Sequence, residues 1–288
     1  MENLLKYVYV SNNYKIAYLQ SGKGTPMIFL HNGGLDHRIW DFQIEKFSKN
    51  YEVFALDLLG YGQSDKPEVE YTLNLYVDIL SDFIEKLGLA NVILVGHCIG
   101  SATTLSYTIK NPDNVKAIIL FNLVTKKILL DGYAGYSYKV LTNAPVRYFL
   151  KQLSEKFVPD KWMLKFVVPV LYGKKGEPDN EFIEHFYDLN TSPSQLRVLY
   201  SLLLNFESFK QLDQFTKPTN FPKSLLIWGV DNKILPVNSG KKFAEKLKPD
   251  VINLFEECGH LVMRENSKEV NECIENFINE FLSSSESL

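Results

Sequence analysis

The 288-residue sequence predicts an α/β fold, in which a doubly wound, mostly parallel sheet carries a helical insertion over one edge. Six short apolar runs, rich in β-branched residues, favour buried strands, because strands covered on both faces are apolar at every position. Stretches with helical spacing separate these runs, and such alternation is typical of a parallel sheet. The chain length suits one core of this kind with an insertion.

Each element follows from its own stretch of sequence. Two strands are predicted at the start, where KYVYV and YKIAYLQ flank the turn-forming SNN, as in a β-hairpin. The six apolar runs are MIFL (27–30), VFAL (53–56), VILV (92–95), AIIL (117–120), SLLIW (224–228) and VINLF (251–255). Helical spacing predicts helices at 72–88, 101–111, SGKKFAEKL and KEVNECIENFINEFL.

A helical cap is predicted between residues 126 and 216, where the alternation stops. This stretch is rich in aromatic residues, has helix-like spacing and contains no clear apolar strand run. So long a stretch without a strand signal, inserted between two core strands, indicates helices that cover one edge of the sheet. We therefore divide the chain into a core of residues 1–125 and 217–288 and a helical cap of residues 126–216.

The composition argues against several classes of protein. With 45% hydrophobic and 23% charged residues, the chain is expected to be neither disordered nor fibrous. Its 31 basic and 34 acidic residues give a net charge of −3, which offers no electrostatic basis for binding nucleic acid or an anionic membrane. No apolar run reaches the roughly 18 residues that span a bilayer, and the start, MENLLKYVYVSNN, does not resemble a secretory signal.

The three cysteines, Cys98, Cys258 and Cys273, are widely spaced and form no CxxC pair. An odd number at such spacing argues against a disulfide framework or a zinc site, so we expect a protein of the reducing cytoplasm. The sequence also contains no HExxH, no GxGxxG after a strand and no Walker motif. We therefore expect neither a metal nor a cofactor.

A candidate nucleophile follows the strand VILV, in the segment Gly96-His97-Cys98-Ile99-Gly100. Ligands bind outside the carboxyl ends of the strands in an open α/β sheet. The pattern G-x-C-x-G between a strand and a helix is that of a nucleophile elbow with cysteine in the serine position. The helix N-terminus favours a thiolate, so we expect the pKa of the Cys98 thiol to lie below its usual value of about 8.5. A buried structural thiol is the alternative.

Together with this elbow, four further segments make the chain resemble cap-containing proteins of the α/β-hydrolase-fold superfamily: LHNGG, DLLGYGQSD, WGVDNKILP and CGHLVMRE. The resemblance implies that His260 is the general base and that the backbone N–H groups of Gly33 and Ile99 form the oxyanion hole. Asn32 stands where the family usually has glycine, and it either adds a polar group to the substrate pocket or fills a turn. His97 lies inside the elbow, and we expect its ring to pack beside the pocket.

The third member of the catalytic triad departs from the family pattern. The family's acid-bearing turn aligns with WGVDNKILP so that Asn232 takes the acid position, and Asp231 lies one residue earlier. We favour a Cys98–His260–Asn232 triad, because a thiolate can exist beside an imidazolium and the third residue then only fixes the ring, as asparagine does in papain-like proteases. In that arrangement the Asn232 side-chain oxygen accepts the Nδ1–H of His260. A shifted loop, with Asp231 on the ring, stays open.

Three functions are compatible with these residues. The first is a cofactor-independent hydrolase of an ester, thioester or lactone, which forms an acyl-enzyme on Cys98. Its substrate is a small molecule with an apolar acyl group, and eight basic residues within 139–175 leave open a carrier-protein- or CoA-linked form. The second is an acyltransferase, or a cyclase or thioesterase of a biosynthetic pathway. The third is a ligand-binding protein without turnover, in which Cys98 is unreactive.

Overall fold

The computed structural model describes residues 5–143, 146, 157–174 and 176–281. Its described strands form one eight-stranded sheet in the order β1-β2-β4-β3-β5-β6-β7-β8. The strands are β1 (Lys6–Tyr9), β2 (Lys15–Ser21), β3 (Pro26–Leu30), β4 (Glu52–Leu56), β5 (Val92–His97), β6 (Val115–Phe121), β7 (Lys223–Gly229) and β8 (Val251–Phe255). The hairpin β1–β2 and the pair β2–β4 are antiparallel, and the other pairs are parallel. The predicted fold class is confirmed.

Helices connect many of the strands along the chain and pack on the sheet. The described α-helices are Asp41–Phe47, Leu73–Lys86, Ile99–Lys110, Lys126–Asp131, Tyr133–Leu141, Lys161–Leu164, Val168–Leu171, Asn180–Asn190, Pro193–Leu204, Val237–Leu247, Val262–Glu265 and Ser267–Phe281. Short 3₁₀ stretches occupy Ser11–Asn13, His37–Trp40, Pro112–Asn114 and Phe206–Gln214. Among the described residues, no helix combines the length and apolar character that a membrane span needs.

Two hydrophobic clusters cover the two faces of the sheet. Along β3, Ile28 and Leu30 belong to one cluster, while Met27 and Phe29 belong to the other. Successive side chains of a strand point to opposite faces, so a run without polar positions fits a sheet buried on both sides. The final strand β8 lies at the edge of the sheet, and its Ile252 is exposed although its sequence run is apolar.

Between β6 and β7, every described element is helical, and no described residue of that segment belongs to a strand. This agrees with the missing strand signal in the sequence. Apolar side chains from these helices line a cavity at the carboxyl end of β5. The division into a core and a cap of residues 126–216 remains a prediction.

The residues singled out in the sequence follow the carboxyl ends of the parallel strands. Asn32 and Gly33 lie in the loop after β3, and Cys98 follows β5 directly. Asn232 lies in the loop after β7, and His260 lies in the loop after β8. Because parallel strands end at the same edge of a sheet, these loops meet there.

Candidate active site

Cys98 occupies a sharp turn between β5 and the helix Ile99–Lys110. Its backbone has φ 53° and ψ −107°, a conformation that L-residues adopt rarely and that stores strain. The glycines on either side are needed for space: a Cβ on Gly96 would lie 2.4 Å from the carbonyl oxygen of Gly100, and a Cβ on Gly100 would lie 2.1 Å from that of Leu30. The strand–turn–helix context expected of an elbow is therefore present, and Cys98 stands at the N-terminus of its helix.

The structure brings Asn232 to the ring of His260. The Nδ2 atom of Asn232 lies 3.1 Å from the Nδ1 atom of His260, and both side chains are buried. The His260 loop is held by its own backbone, since its N–H donates to the Leu171 carbonyl at 2.7 Å and its carbonyl accepts from Asn122 Nδ2 at 2.8 Å. Asp231 is directed elsewhere, because its carboxylate accepts from the backbone N–H of Lys174 at 3.4 Å.

The amide of Asn232 is turned the opposite way from our expectation. Its Oδ1 accepts hydrogen bonds from the backbone N–H groups of Ile234 and Leu235, both at 3.0 Å. The nitrogen, and not the oxygen, therefore faces the ring of His260. The alignment of the acid-bearing turn pointed to the residue that lies beside the ring, but the backbone of its own turn decides which atom that residue presents.

Burial determines the protonation of the site. Desolvation raises the pKa of the Cys98 thiol to about 12, and the hydrogen bond from the Ile99 backbone offsets only part of this effect. Desolvation also lowers the pKa of His260 to about 3. At neutral pH the thiol keeps its proton and the imidazole is uncharged. This corrects the expectation of a lowered cysteine pKa: the low-dielectric surroundings outweigh the helix dipole.

The loop after β3 lies against the elbow, as an oxyanion hole requires. Gly33 and Ile99 both line the cavity, and a Cβ added to Gly33 would lie only 2.9 Å from Cδ1 of Ile99. His31 supports this loop from below, because its Nε2 accepts from the Leu58 N–H at 2.9 Å while its Nδ1 donates to the Asn32 carbonyl at 2.6 Å. The two residues named from the sequence therefore lie next to one another, and the oxyanion hole formed by their N–H groups stays a prediction.

Asn32 contributes a polar atom to the site. Its Nδ2 donates to the Gly33 carbonyl at 3.2 Å, which orients the amide. Its Oδ1 is buried and has no hydrogen-bond partner among the described residues, and the residue lines the cavity. Asn32 therefore belongs to the pocket lining, although its Oδ1 is covered, and both interpretations stay predictions.

His97 is placed behind the site and does not line the cavity. Its ring lies 4.4 Å from the ring of His260, centroid to centroid, and 6.5 Å from that of Trp40. Burial lowers the pKa of His97 well below its usual value, so the ring is uncharged. The ring of His97 therefore packs beside the site, against His260, but it is not part of the pocket lining for which the sequence made it a candidate.

A cavity of about 660 Å³ opens above the elbow. Cys98 and His260 lie in its wall, and none of the described residues lining it carries a charged side chain. The apolar part of the wall comes mainly from helices between β6 and β7, among them Leu129, Leu171, Phe186, Leu199, Leu202 and Phe206. Sequence analysis missed Asn190, which lines the cavity and donates to the Gly34 carbonyl at 2.8 Å. An asparagine inside a helix gives no motif by which it could have been found.

A buried group of Asp36, His37 and Asp57 lies beneath the loop after β3. These are the described residues whose ligand atoms come close enough to hold a metal ion. Their side chains already hydrogen-bond to one another or to a neighbour: Asp57 accepts from the ring of His37 at 2.6 Å, and Asp36 accepts from the ring of His185 at 2.7 Å. We interpret this group as structural support for the loop.

The fold and the elbow define a protein of the α/β-hydrolase type. The model of the alpha/beta hydrolase fold family matches residues 25–267, and the chain belongs to this family. The chain is 25% identical over 259 residues to 2-hydroxy-6-oxo-6-(2'-aminophenyl)hexa-2,4-dienoic acid hydrolase of Metapseudomonas resinovorans, a match that covers 88% of this chain and 83% of that protein.

Two further proteins illustrate the range of the similarity. (E)-2-((N-methylformamido)methylene)succinate hydrolase of Acinetobacter baylyi is 37% identical over 122 residues, which cover 42% of this chain and 46% of that enzyme. A structure of a thermophilic esterase from Thermogutta terrifontis superposes with a TM-score of 0.78 at 17% identity, covering 96% of this chain and 99% of that one. The two curated relatives bear the names of hydrolases, which supports a hydrolase, and the likeness to the esterase structure shows the fold.

Proposed function

We propose that this chain hydrolyses an ester, thioester or lactone whose acyl group is apolar and uncharged, through an acyl-enzyme on Cys98. The observation that carries the proposal is the position of Cys98: a strained elbow residue in the wall of an apolar cavity that His260, Gly33 and Ile99 also line. Asn232 positions the histidine.

The reaction proceeds in two steps. The sulfur of Cys98 attacks the carbonyl carbon, the thiol proton passes to His260 in the tautomer whose Nε2 is unprotonated, and the negative oxygen accepts hydrogen bonds from Gly33 and Ile99. Collapse of this intermediate expels the alcohol or thiol, which takes the proton from His260, and leaves a thioester on the enzyme. Water then attacks the thioester with His260 as base, which releases the acid and restores the thiol.

The cavity wall favours an uncharged substrate. The printed names of two relatives describe a succinate and a dienoic acid, both of which bear carboxylates. No described residue of this cavity offers a cationic side chain to pair with a carboxylate, and burying an unpaired charge is costly. We therefore assign this chain to acyl compounds without a charge near the scissile bond.

A carrier-protein- or CoA-linked acyl group remains within the proposal. Of the eight basic residues counted in 139–175, four lie outside the described residues: Arg147, Lys151, Lys156 and Lys175. Among the described ones, Lys161 pairs with Glu184 and Asp188, both at 2.9 Å, so its charge is already partnered. The support for a carrier-linked substrate is accordingly weaker than that for an apolar acyl group.

The test is hydrolysis of matched acyl thioesters and esters that differ only in a terminal methyl or carboxylate group. We expect turnover of the methyl-terminated members, little turnover of the carboxylates and none by Cys98→Ala, whose folding is checked by circular dichroism. Preference for the carboxylates would overturn the substrate class. Unchanged turnover by Cys98→Ala would overturn the nucleophile.

A ligand-binding protein without turnover is the second candidate. The observation that favours it is the resting protonation state, with a neutral thiol and a neutral imidazole. It predicts binding of the same apolar acyl compounds, without acylation of Cys98 at any pH.

A further inference from the structure

The orientation of the Asn232 amide is fixed by its own turn. Its Oδ1 accepts two backbone N–H groups, from Ile234 and Leu235, at 3.0 Å each. Rotating the amide by half a turn would lose both hydrogen bonds and set the NH₂ group against two donors. The amide therefore presents only its nitrogen to the ring.

An amide nitrogen can donate a hydrogen bond but cannot accept one. At 3.1 Å from Asn232 Nδ2, the Nδ1 atom of His260 must supply a lone pair to this contact. A neutral imidazole has one proton, so a lone pair on Nδ1 places that proton on Nε2. Nε2 occupies the other edge of a ring that lines the cavity together with Cys98.

The groups around the ring leave it uncharged. His97, packed against its face, is itself neutral, and Cys98 keeps its proton. The carboxylate of Asp231, on the same turn as Asn232, is engaged by the backbone N–H and the ammonium of Lys174, at 3.4 Å and 3.8 Å. No described carboxylate hydrogen-bonds to the ring of His260.

We propose that Asn232 holds resting His260 in the Nε2–H form, so that the ring offers a donor and not a base to the cavity and acylation of Cys98 is held back. The inference rests on the proposed function, since it concerns the proton that Cys98 must lose. Aspartate at 232 would accept Nδ1–H and free Nε2 to act as the base. The reverse change, from aspartate to asparagine in a serine protease, costs about 10⁴ in rate because it produces the wrong tautomer.

The direct test is ¹⁵N NMR of the histidine rings, with the His260 signals assigned by their loss in His260→Gln. In the unmodified chain we expect a protonated Nε2 and an unprotonated Nδ1. In Asn232→Asp we expect a proton on Nδ1. A proton on Nδ1 of the unmodified chain would overturn the inference, whatever the acylation assays show.

The second arm measures single-turnover acylation of Cys98 by an uncharged acyl thioester. We expect Cys98 to be acylated at least tenfold faster in Asn232→Asp than in the unmodified chain. We also expect this rate to depend on the neutral form of His260. The control is the double variant Asp231→Asn, Asn232→Asp, which has the net charge of the unmodified chain and should be accelerated equally. An unchanged or lower rate alongside the expected tautomer shift would overturn the claim that the tautomer limits acylation. No adduct in any variant would overturn the proposed function and leave the tautomer assignment standing.

Discussion

The ring of His97 packs against the ring of His260, with 4.4 Å between their centroids. His97 is completely buried, and neither of its ring nitrogens makes a hydrogen bond of good geometry among the described residues. Its contribution to the site is therefore the shape of its ring, which limits how His260 can tilt.

Replacing His97 tests this packing role. We expect His97→Ala to lower the free energy of unfolding by about 2–4 kcal/mol, because it leaves a cavity in a close-packed region. His97→Phe keeps an aromatic ring of similar size and should cost less than about 1.5 kcal/mol. Urea denaturation of both variants gives the comparison. Equal losses would show that the nitrogens of His97, and not its ring shape, are what the site needs.

The Cys98 thiol should behave as an ordinary, partly buried thiol and not as an activated one. With its pKa raised to about 12, the thiolate fraction grows tenfold with each pH unit across the neutral and mildly alkaline range. Alkylation by iodoacetamide, followed by peptide mass spectrometry from pH 6 to 10, should rise without a plateau. A plateau near neutral pH would indicate a thiolate–imidazolium pair instead.

Asn32 should select substrates that carry a hydrogen-bond donor next to the reacting carbonyl. Its Oδ1 is buried and lacks a partner among the described residues, while the residue itself lines the cavity, so we expect a substrate N–H or O–H that reaches this atom to satisfy it. For a donor-bearing substrate, Asn32→Leu should lower kcat/KM roughly three- to tenfold, the value of one neutral hydrogen bond. The matched substrate with a methylene in place of the donor should lose nothing. Equal losses on both substrates would contradict this role.

Acyl-chain preference should depend on the aromatic residues that line the cavity. Phe186 is buried and lines it, while Phe166, from the same inserted segment, is exposed. Phe186→Ala should shift the preferred acyl chain to greater length, because it adds apolar space. Phe166→Ala should leave the preference unchanged. If rates across a series of acyl thioesters respond to neither change, the segment does not determine selectivity.

Continuous apolar runs and motif order made much of the architecture predictable. Six parallel strands were located from their composition, and the order of the motifs placed Cys98, Asn232 and His260 at one edge of the sheet. The helix Asp41–Phe47 was missed, because its seven residues show too little periodicity to detect.

The chemistry of the site depended on three-dimensional detail. The amide orientation of Asn232 depends on the directions of the N–H groups of Ile234 and Leu235. These directions are set by the backbone conformation of the turn and cannot be read from the residue types. The protonation of Cys98 and His260 follows from burial by distant segments. A sequence motif identifies the residues of a site but not the dielectric around them.

Intact and peptide mass spectrometry after exposure to uncharged acyl thioesters tests the central claim most directly. The account predicts an acyl adduct on Cys98, formed slowly in the unmodified chain, formed faster in Asn232→Asp and absent from Cys98→Ala. An adduct confined to Cys258 or Cys273, or no adduct in either the unmodified chain or Asn232→Asp, would contradict it.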